Sequence, residues 1–252
     1  YLVIDGNKYM TGYDTKDMVQ VFSSCVPHKD ASGNVYAMTF TFGEGMKVTV
    51  AIDGYNGVIF RLPDATGESK VLTEYFISYG EKQAILLDMG NVVDYVMQIP
   101  DGWSAVERKD EYTGSTYLDI TAPTKELIES GAAMAGGDLK VMALVEGGKA
   151  AVTKLVISAE PFKVFDISGA KAVVEPYAGV QKYVYGITLL SDFDEEAVMK
   201  TATSLITTNM DAPKGYGVSE KGINVNHAEL YGEDLNTDNA YIFWALPALY
   251  RE

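Results

Sequence analysis

Short apolar and aromatic runs, each ended by a glycine, proline or Asp-Gly type turn, recur along this chain at intervals of about 8–12 residues. That spacing restricts the fold to an all-β sandwich or barrel. Tyr36-Ala37-Met38-Thr39-Phe40-Thr41-Phe42 is rich in aromatic and β-branched residues, and Gly43-Glu44-Gly45 turns it into Met46–Ile52, whose start alternates with period two. The pair reads as a β-hairpin. Asp53-Gly54 and Asn56-Gly57 mark turns before Val58–Leu62, which Pro63 closes. Further strands are expected at Tyr75–Tyr79, Gln83–Leu87, Val92–Ile99, Trp103–Val106 and Tyr117–Thr121. Leu139–Val145 and Ala151–Ile157, joined through Gly147-Gly148, form the clearest hairpin. After it, Phe162–Ile167, Lys171–Glu175, Lys182–Leu190 and Tyr241–Leu246 again have strand composition.

Three segments depart from this style. Asp14–Ser24 places Met18, Val19 and Phe22 at helical spacing, with Asp14 or Thr15 as N-cap. A short helical turn fits the segment before Gly136-Gly137. The strongest helix spans about Asp194–Ile206: acidic residues crowd its first turn, where the helix dipole favours them, and Val198, Ala202, Leu205 and Ile206 form one apolar stripe. Pro161 marks a boundary, because proline does not sit inside a central strand. The resulting division is an N-terminal β unit over residues 1–74, a sandwich over 75–160 and a second sandwich over 161–252 that carries the helix as an insertion.

Composition narrows the function. The chain has 252 residues and a formal net charge of −15, which repels phosphate backbones and argues against nucleic acid and anionic lipid as partners. One cysteine, Cys25, cannot form an internal disulfide, so core packing holds the fold. No apolar run is long enough to span a membrane as a helix. The opening YLVIDGNKY reads as strand and turn rather than as a leader, so an exported form would carry its leader upstream.

Four patches in order carry a family likeness: Ser78-Tyr79-Gly80-Glu81, Pro100-Asp101-Gly102-Trp103, Leu118-Asp119-Ile120-Thr121-Ala122-Pro123, and the Leu139–Ile157 hairpin. With them, residues 75–160 resemble the immunoglobulin-like modules of Bacteroidetes cell-surface lipoproteins. Thr41–Val50 is similar to the strand pair that often precedes that module. From Phe162 onward the chain resembles a fibronectin type III-like module, on the strength of Leu235-Asn236-Thr237-Asp238-Asn239-Ala240-Tyr241. A Leu followed six residues later by Tyr looks like that family's tyrosine corner, in which the phenol hydroxyl bonds back to the backbone. The inserted helix and the lack of a recognisable last strand after Leu246 depart from the pattern. The resemblance implies mostly β tandem sandwiches on a bacterial cell surface, held at the outer membrane by an upstream lipidated segment. It implies glycan capture or adhesion and no reaction.

No residue pattern outcompetes a structural explanation as catalytic chemistry. His28 and His227 lie in separate segments, and Cys25 with His28 falls short of a zinc set. Gly131–Gly137 lacks the Lys-Ser/Thr of a phosphate loop. Asp192, Asp194, Glu195 and Glu196 are explained by helix capping better than by glycosidase chemistry. Asp234–Asn239 has calcium-loop oxygen spacing, but its sixth position is Asn and its twelfth is Ala245, and the tyrosine corner accounts for the same residues. No cofactor and no metal are expected. Trp103 and Trp244 are expected in the core. Tyr55, Tyr112, Tyr216 and Tyr231 lie in or near polar turns and are the candidates for exposed, ligand-binding aromatic residues, whether or not they share one face. The expected function is a non-catalytic surface binding or adhesion protein with glycan or a surface protein as partner. The alternatives are a spacer that self-associates through a strand edge, and a carbohydrate-active enzyme.

Overall fold

A computed structural model describes residues 2–4, 7–9, 24–41, 47–63, 69–208 and 210–248. The helix expected at Asp14–Ser24 and the Gly43-Glu44-Gly45 turn lie outside these, apart from Ser24, which opens a strand. The chain divides into two compact units, Tyr1–Glu160 and Pro161–Glu252.

The first unit contains β1 (Leu2–Ile4), β2 (Asn7–Tyr9), β3 (Ser24–Lys29), β4 (Val35–Thr41), β5 (Lys47–Ala51), β6 (Gly57–Pro63) and β7 (Ser69–Val71). It continues with β8 (Glu74–Phe76), β9 (Lys82–Gly90), β10 (Val92–Gln98), β11 (Ser104–Lys109), β12 (Thr116–Thr121), helix α1 (Lys125–Glu129), β13 (Gly136–Val145) and β14 (Lys149–Ser158). A four-stranded sheet of order β10-β13-β14-β8 faces a five-stranded sheet of order β11-β12-β9-β6-β7. Pairing is antiparallel except between β8 and β14. Alternation supplies the core: Leu118 and Ile120 of β12, Ile85 and Leu87 of β9 and Phe60 of β6 meet Leu139, Val141, Leu155 and Ile157 from the other sheet. Thr153 is buried, and its hydroxyl is satisfied by donating to the Val58 carbonyl at 2.7 Å, across from β14 to β6.

Val58, Ile59 and Phe60 are consecutive and all buried. A strand buried on both faces has this unbroken apolar composition. Val58 and Phe60 enter the main core, while Ile59 joins Val71, Tyr36 and Ala37 in a second cluster that includes residues of the sheet β3-β4-β5. This arrangement moves the boundary expected at residue 74. β6 pairs with β9 over Gly57–Arg61 against Leu86–Gly90, so the sandwich begins well before residue 75. The β4–β5 hairpin has the expected partners, Thr41 with Lys47 through Ala37 with Ala51.

The second unit contains β15 (Phe162–Asp166), β16 (Lys171–Pro176), β17 (Lys182–Leu189), α2 (Glu195–Thr207), β18 (Tyr216–Ser219), β19 (Ile223–Asn226), α3 (His227–Tyr231) and β20 (Tyr241–Ala248). Two three-stranded sheets form, β15-β16-β19 and β18-β17-β20. The second is covered on both faces. Its odd-numbered residues Tyr183, Tyr185 and Phe243 meet Phe162 and Phe165 of the first sheet in an aromatic layer. Its even-numbered residues Val184, Trp244 and Leu246 meet Ala202 and Leu205 of α2. α2 begins where its sequence predicts: the Asp194 carboxylate accepts from the N–H groups of Glu196 and Ala197 at 3.0 and 3.2 Å. The tyrosine corner is also present, with the Asn236 N–H donating to the Tyr241 hydroxyl at 3.0 Å. Both units are sandwiches, and the protein is mostly β, with α2 inserted between β17 and β18.

Candidate functional site

A cleft of about 240 Å³ opens beside the first turn of α2, lined by Asp192, Asp194, Lys214, Tyr216, Tyr231 and Trp244 together with Ile187 and Thr188. Local chemistry sets each wall. Gly186 on β17 carries no side chain; a Cβ there would stand 2.3 Å from the Trp244 ring, so only glycine lets the indole lie against this strand. Tyr216, opening β18, meets the indole edge to face at 5.2 Å. α3 ends at Gly232, whose positive φ of 86° makes the left-handed cap that stops the helix just after Tyr231. Tyr231 packs edge-on against Tyr241 at 5.2 Å, and the Lys214 ammonium sits 5.5 Å above its ring while pairing with Glu233 at 3.0 Å.

The polar inventory of the cleft is only partly used. Asp194 is engaged as the α2 cap, and Asp192 accepts from the Ser191 hydroxyl at 2.9 Å. Among the described residues, neither the Tyr216 nor the Tyr231 hydroxyl makes a hydrogen bond, and the Trp244 indole N–H is buried without an acceptor. Buried donors of this kind are rare in native proteins. Lys214 is neutralised by Glu233, so the two aspartates leave the cleft negative.

The four tyrosines expected to be exposed lie in three separate places. Tyr216 and Tyr231 meet in this cleft. Tyr55 is partly buried in the first unit: its hydroxyl donates to Asp30 at 3.1 Å and its ring lies 5.7 Å from Tyr36. Burial, with the Asp30 charge and hydrogen bond behind it, pushes the Tyr55 phenol well above its usual range. Tyr112 stands 98% exposed at the tip of the β11–β12 loop, which Asp110 folds by accepting from the N–H groups of Tyr112 and Thr113. Trp103 is buried, its indole N–H donating to the Met134 carbonyl at 2.9 Å. Trp244, expected as a core residue, packs against the Val184, Ala202 and Leu205 cluster and also lines the cleft. Its apolar neighbours suggest burial, and the missing Gly186 side chain that opens the space is a property of the neighbouring strand. Histidine and cysteine do not converge: His28 Nε2 bonds the Thr39 hydroxyl at 2.6 Å, and no group of three or more His, Cys, Asp or Glu side chains gathers among the described residues.

No protein-family model matches the chain, and no curated protein matches it in sequence. Solved structures similar to it include mouse clustered PcdhgC3 EC1-3, at 11% identity and TM-score 0.27, with 64% of this chain and 59% of that chain covered. Protocadherin Gamma C5 EC1-3 is similar at 13% identity and TM-score 0.27, with 84% and 75% covered. PcdhgB3 EC1-4 follows at 14% identity and TM-score 0.27, with 84% and 56% covered. The chain thus spans 59% of the length of the first of these.

Proposed function

We propose that the protein is a non-catalytic binding module of a bacterial cell surface, and that its second unit holds a single neutral sugar residue of a glycan in the Tyr216–Tyr231–Trp244 cleft. The observation that carries this is the convergence of three aromatic rings, two of them bearing hydroxyls without a hydrogen-bond partner, in one small cavity. Sugars present apolar C–H faces for aromatic rings and hydroxyls for surrounding donors and carboxylates. At about 240 Å³ the cleft is smaller than the usual range for drug-sized ligands and accommodates one ring rather than an extended oligosaccharide. Its negative charge disfavours uronic and sialic acids. Asp194 is held by the α2 backbone, which suits a positioning role better than proton transfer.

A glycan array of neutral and acidic sugars, followed by calorimetric titration, tests the proposal. Neutral glycans are expected to bind. Trp244→Phe shortens one aromatic wall of the cleft and should weaken binding by about tenfold, the order of one aromatic contact. Binding unaffected by Trp244→Phe and Tyr216→Ala would move the site elsewhere, and no binding to any glycan would remove the glycan reading.

A further inference from the structure

β20 is the end strand of its sheet, and its outer edge meets no other strand among the described residues. The direction of its backbone groups follows from two neighbouring bonds. The Ile187 N–H donates to the Gly215 carbonyl, on the β18 side, while the Leu190 N–H donates to the Ala240 carbonyl, on the β20 side. Successive residues of an antiparallel strand aim their backbone groups to alternate sides. Thr188, Gly186, Val184 and Lys182 therefore bond β20 through their partners Ile242, Trp244, Leu246 and Ala248. The N–H and C=O groups of Tyr241, Phe243 and Ala245 consequently point outward. Pro247 belongs to the same outward set, where its missing N–H costs the existing sheet nothing.

Three further features distinguish this edge. No charged side chain occurs from Asn239 to Ala248, in a chain whose net charge is −15. Both faces of β20 are already covered, by the aromatic layer and by α2, so the strand is packed like an interior one and bare only along its side. The margin next to it is apolar: Phe165 of β15, which packs on Phe243 at 5.7 Å, is 45% exposed. α3 packs across β17, β18 and β19, and its Tyr231 and His227 rings reach Tyr241 and Phe243 from one face of the sheet without pairing along the β20 edge. In the first unit, β11 ends its sheet with Glu107, Arg108 and Lys109, and β10 carries a bulge between Val92 and Asp94. Charge and bulges are the usual protections of an open edge.

We propose that β20 pairs with β20 of a second copy of this chain, antiparallel about a two-fold axis through Phe243. This register sets Tyr241 opposite Ala245 of the other copy, large against small, and Phe243 opposite itself. Each pair exchanges both backbone bonds, and Pro247 stays outside the paired stretch. A second copy fits the edge because the interface is isologous. Each copy brings its own exposed Phe165 to the contact, and no like charges face each other along the paired strands. The paired stretch is short against the roughly 1,200–2,000 Å² of a standard interface, so the dimer is expected to be weak and concentration-dependent.

Sedimentation velocity on the 252-residue chain, from submicromolar to several hundred micromolar, tests this. The expected result is a monomer that shifts to a dimer as concentration rises. Ala245→Pro deletes one outward N–H and leaves the bonds to β17 intact, so it should keep the native near-ultraviolet spectrum and weaken the dimer by about tenfold or more. Phe165→Lys should weaken it as well, through the margin. Leu246→Pro, which removes an inward N–H, should destabilise the unit itself and thereby verify the assigned directions. A wild-type chain that stays monomeric throughout overturns the proposal. So does a dimer that survives Ala245→Pro, which would assign the contact to another edge such as β10.

Discussion

The two units enclose their apolar residues in different ways. In Tyr1–Glu160, two sheets share one aliphatic core built from Leu118, Ile120, Leu139, Leu155, Ile157 and their neighbours, and the outer face at Ile59 is covered again by residues of the β3-β4-β5 sheet. In Pro161–Glu252, one sheet of three strands is sandwiched between an aromatic layer and a helix. The aliphatic core is continuous, and a more open cleft lies at its surface beside Arg61, Asp88 and Thr116. The smaller unit is assembled from rings and a short helix that meet less completely, and its gaps lie where α2 begins and where β20 ends the sheet. Three strands per sheet do not fully enclose side chains as large as Trp244 and Tyr216, which leaves the cavity of the second unit.

The comparison is open to direct attack, because each unit contains one of the two tryptophans and so carries its own fluorescence reporter. Phe60→Ala empties a fully buried site shared by both sheets of the first unit. It should cost about 3–5 kcal/mol in denaturant unfolding followed at Trp103. The transition followed at Trp244 should stay in place if the units fold independently, and a matching shift there would join them into one cooperative system.

Gly186→Val should produce the next largest effect, confined to the second unit. The new side chain meets the Trp244 ring, so the indole must leave its seat, at about 1–3 kcal/mol. A red-shifted Trp244 emission would report the displacement, and the cleft should lose its ligand with it. An unchanged spectrum would show that the indole does not depend on this glycine.

Asp30 gives the smallest and most pH-dependent effect. Burial pushes its carboxyl up, but hydrogen bonds from Asn34, Tyr55 and Ser32 outweigh burial and hold it below its usual value. A depressed carboxylate contributes stability that is complete above its unfolded value and is lost as pH falls through the folded one. Asp30→Asn should therefore cost about 1–2 kcal/mol at neutral pH, and the gap to wild type should close below about pH 4. A pH-independent gap would mean that shape rather than charge holds the Asp30 turn.

Much of the second unit is legible residue by residue. The α2 cap at Asp194, its buried stripe of Val198, Ala202 and Leu205, and the Tyr241 corner all depend on neighbours within a few positions. The Leu139–Ile157 hairpin is legible for the same reason, since β13 and β14 are joined by one short turn and stay in register along their whole length. β6 was recognisable as a strand but not as a partner of β9, because that pairing closes over a connection containing β7 and β8. Tyr55 has the sequence surroundings of an exposed turn residue because Asp30, the group that binds its hydroxyl, lies 25 positions away.

The sequence alone determined the strand-rich class, the inserted helix and the acidic charge, since these follow from period-two patterning, turn residues, caps and composition. Only the tertiary structure decided which tyrosines meet and which strands end their sheets. Tyr216, Tyr231 and Trp244 come from three separate elements, and their cleft exists because a glycine on a fourth leaves room for the indole. The open side of β20 is likewise a property of sheet order, which long-range packing sets and no local pattern encodes.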